Sequence, residues 1–196
     1  MGASARIGPN AVLQHLAVLD AALGEGLRGA LMHRAGVPVP PPECGMLPED
    51  QVTPLHRAVW LFLPDRAAGI QRQAGLAVGE YILAHRIPGL AQRLIRVLPA
   101  PLGARFLAAA IAKHAWTFAG SGRFSVASHR PLTFSIVHNP LAVGPARPSC
   151  HWHAAVFERL FQRLVWPRAQ VVEVACCAAG QGACVFEIRP VPASVN

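Results

Sequence analysis

Apolar residues recur at three- and four-residue spacing from the start of the chain. Val12, Leu13, Leu16, Leu19, Leu23, Leu27 and Leu31 predict an amphipathic helix over residues 10–34. Asn10, after Gly8-Pro9, supplies its N-cap. The run Val-Pro-Val-Pro-Pro-Pro (Val37 to Pro42) cannot continue a helix and predicts an extended linker. Helical patterning resumes from Glu49 to Leu63 and from Asp65 to His85, with Pro64 between the two. Pro88 and Pro101 mark the starts of two shorter helices ending near His114.

The period then shortens. Residues 115–138 carry a Gly120-Ser121-Gly122 turn and two β-rich runs, Phe124 to Ser128 and Leu132 to His138, which predict a hairpin or meander. Residues 150–166 return to helix, with Val156, Leu160, Phe161, Leu164 and Val165 as its stripe. Val171 to Ala175 and Ala183 to Ile188 read as closing strands around Gly180-Gln181-Gly182. The fold class is therefore α+β, a helical N-terminal half packed on a small antiparallel sheet. Three segments follow: an N-terminal amphipathic helix (1–36), a proline-rich linker (37–48) and a domain (49–196). Leu16, Leu19, Leu23 and Leu27 can serve a core or a homodimer interface.

A length of 196 residues with 53% hydrophobic and 14% charged residues fits one domain with a large core. The apolar surplus is compatible with a ligand cavity or a buried interface. No run approaches the roughly 18 apolar residues of a membrane span. The opening Met1 to Arg6 lacks the apolar core of a secretory signal, so a cytoplasmic location is expected. The net charge of +8 rests on arginines that are scattered without aromatic interleaving, which disfavours nucleic acid. A basic surface suits an anionic small molecule or the acidic face of a membrane, to which the chain would be peripheral.

Five cysteines, an odd number, argue for metal binding over a disulfide framework. Cys150, Glu173, Cys176 and Cys184 stand as C-x22-E-x2-C-x7-C, three potential thiolates and a carboxylate. That donor set suits a closed tetrahedral zinc site, structural because no position is left for water or substrate. His151 and His153 are rival ligands for Glu173, and Cys177 reads as a buried small hydrophobe.

The same spacing resembles the zinc motif of the vinyl-four-reductase domain family over roughly the C-terminal half of the chain. That resemblance implies a fold related to trafficking-complex subunits and haem-based nitric oxide sensors. Further stretches resemble the J-protein family of bacteriochlorophyll biosynthesis across nearly the whole length. They are Arg6 to Asn10, Ala74 to Tyr81, Arg86-Ile87-Pro88 and, most specifically, His114-Ala-Trp-Thr-Phe-Ala-Gly-Ser-Gly122. The family resemblance implies one of two activities. One is reduction of the C8 vinyl group of divinyl protochlorophyllide. The other is binding of a magnesium-porphyrin or protoporphyrin as a carrier near magnesium insertion, with magnesium chelatase or the following methyltransferase as partner.

A reductase needs a hydride or electron source, and its cofactor normally dictates a binding motif. Gly120-x-Gly122 comes closest to a dinucleotide fingerprint, but a strand pattern follows it, and the cysteines match neither common ferredoxin spacing. A carrier needs an apolar slot, polar anchors for propionates and an axial ligand for magnesium. If extended, His114, Trp116 and Phe118 share one face and set an imidazole beside two aromatic surfaces. The alternative makes His114 a helix C-cap and both aromatics core. Arg123 and His138 are further ligand candidates, as an ion-pair partner for propionates and a strand-end imidazole. Carriage is the favoured expectation, vinyl reduction the first alternative and a small-molecule sensor the second. No DNA-binding or ATPase segment follows residue 196, so a self-contained sensor-regulator is not expected.

Overall fold

Gly24 divides what periodicity reads as one N-terminal helix. With φ at 82°, it sits where side chains are disfavoured, and its N–H closes on the Asp20 carbonyl. The result is α1 (Asn10–Leu23) followed by α2 (Glu25–Ala35), with Arg28 paired to Asp20 at 2.7 Å across the break. The computed structural model describes residues 5–191, so most of the opening stretch read for a signal lies outside the described residues.

A short strand β1 (Arg6–Ile7) pairs with β2 (Leu47–Pro48), where the extended proline segment ends. The remaining helices are α3 (Glu49–Phe62), α4 (Pro64–His85), α5 (Gly89–Val97), α6 (Ala100–Lys113) and α7 (His151–Leu164). Strands β3 (Arg123–His129), β4 (Leu132–Val137), β5 (Ala169–Ala175) and β6 (Ala183–Pro190) form one antiparallel sheet in the order β3-β4-β6-β5. The chain is α+β as its patterning predicts.

Alternation sets the sheet's inner face. Phe134, Ile136, Cys184, Phe186 and Ile188 point into the core, while Val172 and Val174 face out. α7 covers that inner face and is itself covered by α4, so Trp152 to Phe161 are buried apart from Arg159. Glu158 binds the layers, accepting from Arg72 on α4 at 2.5 Å and from the Val171 N–H on β5 at 3.2 Å. α1 packs on α4, and its Val12, His15 and Leu19 are buried in the same core. Leu16 and Leu23 pack against that core too, which leaves Leu27 as the exposed member of the four leucines.

α4 and α7 approach closely because α4 lacks side chains at the crossing. A Cβ on Gly75 would lie 2.3 Å from the Trp152 carbonyl oxygen, whereas one on Gly69, in the same helix, meets nothing. Gly75→Ala is expected to destabilise by about 1–3 kcal/mol through overpacking. Gly69→Ala is expected to stabilise by about 0.5–1 kcal/mol through lowered chain entropy. Urea unfolding midpoints check both, and equal shifts for the two variants would contradict this packing.

Candidate functional site

The structure builds two centres on α7, one at its N-terminus and one along its flank. At the N-terminus, Cys150 occupies the cap position. Glu173 comes from β5, Cys176 from the turn after it and Cys184 from the start of β6. Their donor atoms all lie within 4.8 Å of one another. The sulfur separations are 3.4 Å (Cys150–Cys184), 3.7 Å (Cys150–Cys176) and 3.9 Å (Cys176–Cys184). A tetrahedral ion with metal–sulfur bonds of about 2.3 Å holds its sulfurs about 3.8 Å apart. The three separations bracket that value, so the donor set fits such an ion.

The polar atoms around the cluster support the same fit. Glu173 Oε2 accepts the Cys150 N–H at 2.8 Å, while Oε1 is buried with no hydrogen-bond partner among the described residues. Burial raises the Glu173 carboxyl to about 7, opposed by that Cys150 N–H. The Cys150 thiol is driven far upward, first by hydrogen bonding with Cys176 and Cys184 and then by burial, while bonds from the Cys150 and Cys184 thiols hold Cys176 well below its usual range. Thiols this close cannot all ionise on their own, whereas a divalent cation at their centre permits it. The Cys177 N–H donates to Cys184 Sγ at 3.3 Å and the Asn139 amide to Cys150 Sγ at 3.5 Å, as thiolates require. His153 stays outside the cluster among the core aromatics, and His151 lies against Trp60. Cys177 is half-buried, its thiol directed at the Ile136 carbonyl.

Along the flank of α7 lies a cavity of about 510 Å³. Trp152, Val156, Phe157 and Leu160 of α7 form one wall, Val78, Tyr81 and Ile82 of α4 a second, and Leu107, Ala110 and Ile111 of α6 a third. Residues 8–11, 44–46, 86–87, 114 and 116–118 complete it. Polar side chains among these walls include Asn10, Tyr81, Arg86, His114, Thr117 and the Trp152 indole N–H, which is buried and has no partner among the described residues.

Residues 114–118 are not extended, and of the two readings of His114 the helix C-cap is the one observed. His114 is the C-cap of α6, and a 3-10 turn occupies Ala115–Thr117. The turn forms because the His114 carbonyl accepts both the Thr117 N–H and its hydroxyl, at 3.0 and 2.8 Å. His114, Trp116 and Phe118 line the cavity nonetheless. Trp116 is 62% exposed at the rim, while Phe118 lies edge-on to Phe124 and Phe157 at 5.4 and 5.7 Å.

Arg123 and His138 are not brought to the cavity. Arg123 opens β3 on its solvent side, and His138, with φ at 53°, turns the chain out after β4. The turn at Gly120 also differs from a phosphate cradle, because the Glu49 carboxylate already accepts the Ser121 N–H at 2.6 Å and its hydroxyl at 2.9 Å. Patterning missed Trp152, Tyr81 and Arg86 as wall residues. The aromatic and basic residues at the ends of two predicted helices were the available signal.

Comparison with known proteins places this geometry. The vinyl-four-reductase domain family matches residues 132–190, from β4 through α7 to β6, which includes all four donor residues. The "Bacteriochlorophyll synthase 23 kDa chain" of Cereibacter sphaeroides is 62% identical over 187 residues, 94% of this chain and 91% of that protein. The chain belongs to the bacteriochlorophyll synthase 23 kDa chain family. The protein of the same name from Rhodobacter capsulatus is 58% identical over 186 residues, 94% of this chain and 87% of that protein. The J-family resemblance of the motifs thus extends over the chain. Among solved structures, an H-NOX protein from S. oneidensis in its Fe(II)NO state shares the fold, with a TM-score of 0.55, 10% identity, and coverage of 93% of this chain and 98% of that one.

Two buried histidines stand behind the cavity. His15 Nδ1–H and His56 Nε2–H both donate to the Ala11 carbonyl, at 2.9 and 3.2 Å. Burial lowers His15 to about 4, and burial together with His15 itself lowers His56 well below its usual value. Between the ordinary value of 6.5 and about 4, the unfolded chain takes up protons that the native state refuses. Stability is therefore expected to fall as the pH is lowered through this window, by roughly 3 kcal/mol from His15 alone. Urea midpoints at several pH values check this, and a His15→Gln variant should lose its share of the slope.

Proposed function

We propose that the cavity binds a flat tetrapyrrole, a divinyl magnesium-porphyrin or its metal-free precursor. In this reading the chain carries the pigment around the magnesium-insertion step of bacteriochlorophyll synthesis without turning it over. The observation that carries the proposal is the apolar cavity itself, walled by the rings of Trp116, Phe118, Trp152 and Phe157 with polar groups spaced among them. Its volume of about 510 Å³ lies within the range of pockets that enclose most of a small ligand, about 300–1,000 Å³. Aromatic faces stack on a macrocycle, the Arg86 guanidinium suits a propionate, and a neutral His114 imidazole can ligate a chelated magnesium. Magnesium chelatase or the following methyltransferase is the proposed exchange partner, at the surface of the photosynthetic membrane. No helix among the described residues is long and apolar enough to cross that membrane.

Zinc at Cys150, Glu173, Cys176 and Cys184 belongs to the same proposal, in a structural role. Four protein ligands close the coordination sphere, and the ion would clamp the N-terminus of α7 to β5 and β6. By holding α7, it would hold one cavity wall.

Anaerobic absorption titration with divinyl magnesium-protoporphyrin tests the pigment reading. A saturable Soret shift, unchanged when reduced nicotinamide is added, is the expected result. Conversion of the divinyl spectrum would instead favour a vinyl reductase, and no shift at all would end the pigment proposal. His114→Ala should alter the bound spectrum if the imidazole ligates magnesium. Trp152→Phe should weaken binding about tenfold by removing one buried donor.

Metal analysis of gently purified protein should find one zinc per chain. Cys176→Ser or a strong chelator should lower the thermal midpoint and release pigment. A metal-free chain of undiminished stability would refute the structural ion.

A further inference from the structure

The helices α5 and α6 are apolar on both sides. Ile95 of α5 and Ala104, Leu107, Ala108 and Ile111 of α6 face the core, as amphipathic helices require. Their outward faces should then be polar, and they are not. Leu90, Leu94 and Val97, spaced four and three residues apart along α5, are 78%, 48% and 78% exposed. Leu102 and Phe106 repeat the spacing on α6, at 54% and 49%. Scattered exposed leucines need no explanation, but two adjoining helices with apolar outer stripes do.

The charges beside these stripes are all of one sign. Arg86, Arg93, Arg96, Arg105 and Lys113 are exposed on the α4–α5 junction, α5 and α6. From Tyr81 to Phe157 the sequence contains no Asp or Glu, so the excess positive charge of the whole chain falls in this stretch. Leucine, valine and phenylalanine flanked by arginines match an anionic lipid interface, where acyl chains take the apolar groups and headgroups the cations. The patch borders the cavity: Arg86 and Ile87 precede α5, Leu107 and Ala110 lie on α6, and the exposed ring of Trp116 follows it on the rim.

We infer that the α5–α6 pair docks on the surface of an anionic lipid bilayer, with the cavity rim beside the contact. The docking goes beyond the pigment reading and does not depend on it. If both hold, an apolar ligand passes between bilayer and cavity with little exposure to water.

Flotation of the purified full-length chain with lipid vesicles tests the inference. Partition onto an equal mixture of phosphatidylcholine and phosphatidylglycerol is expected, much weaker on phosphatidylcholine alone and reduced by salt. Arg93→Gln and Arg105→Gln should each cost about fivefold in partition. The combined Leu90→Ser, Leu94→Ser and Val97→Ser variant should lose more than tenfold while its urea midpoint and any Soret titration stay unchanged. Absence of partition onto either vesicle would overturn the inference, as would equal binding to neutral lipid or wild-type binding by the serine variant. A dimer in sedimentation that the serine variant abolishes would overturn it too, by making the patch a contact between copies. Failure of the pigment titration would leave this result untouched.

Discussion

The burial of α7 on two opposite sides governs the rest of the structure. A helix between a sheet and another helix must satisfy both neighbours, so it carries aromatic bulk toward the sheet and accepts a close backbone on the other side. Phe157 and Phe161 meet Phe134 on β4, at 5.1 and 6.0 Å, while Gly75 and Gly79 let α4 approach the opposite side. Such a helix has little freedom to rotate or slide. Both candidate centres use that immobility. The cysteine cluster sits where α7 begins, and the cavity takes four of its side chains as a wall.

Electrostatics explains why the proposed clamp falls at this end of α7. Backbone N–H groups at a helix N-terminus favour negative charge, and Cys150 is at the cap. Glu173 answers one of those N–H groups directly and keeps its second oxygen toward the sulfurs. The sheet supplies the other two cysteines through the bulge in β5 between Glu173 and Ala175, and the turn that follows. Three thiolates and a carboxylate this close would repel one another, and the helix end offsets only part of that. The proposed cation would neutralise the remainder.

Much of this was legible in the residues. The donor spacing fits one hairpin and one helix start, because strand alternation leaves few ways for Glu173, Cys176 and Cys184 to converge. The helix–strand order followed from periodicity, since 3.6- and 2-residue repeats differ plainly. Three features were not legible, each for a physical reason. Gly24 breaks a continuous apolar stripe through its backbone conformation, which periodicity does not sense. The turn at Ala115–Thr117 is set by one hydroxyl and one carbonyl, below the resolution of any pattern. The cavity forms between helices far apart in sequence, so Trp152 and Arg86 look like ordinary helix residues until α4, α6 and α7 are assembled.

The placement of the His114 to Gly122 segment ties separate parts of the fold together. It joins three things at once. The Thr117 carbonyl accepts the Gly8 N–H at 2.7 Å, which anchors the segment leading from β1 into α1. Ser121 holds Glu49, which begins α3 directly after β2. Between those anchors, His114, Trp116 and Phe118 line the cavity. Gly120 is required there for two reasons, a φ of 56° and a Glu49 oxygen 2.2 Å from where a Cβ would stand. A substitution in this segment would therefore disturb the N-terminal closure and the cavity rim together. Residues can be tightly constrained here without any of them reacting with a ligand. Affinity alone cannot separate the two explanations for His114, because loosening the rim would also weaken binding. The spectrum at saturating pigment separates them better, because loss of an axial ligand shifts it even when every site is filled and the urea midpoint is unchanged.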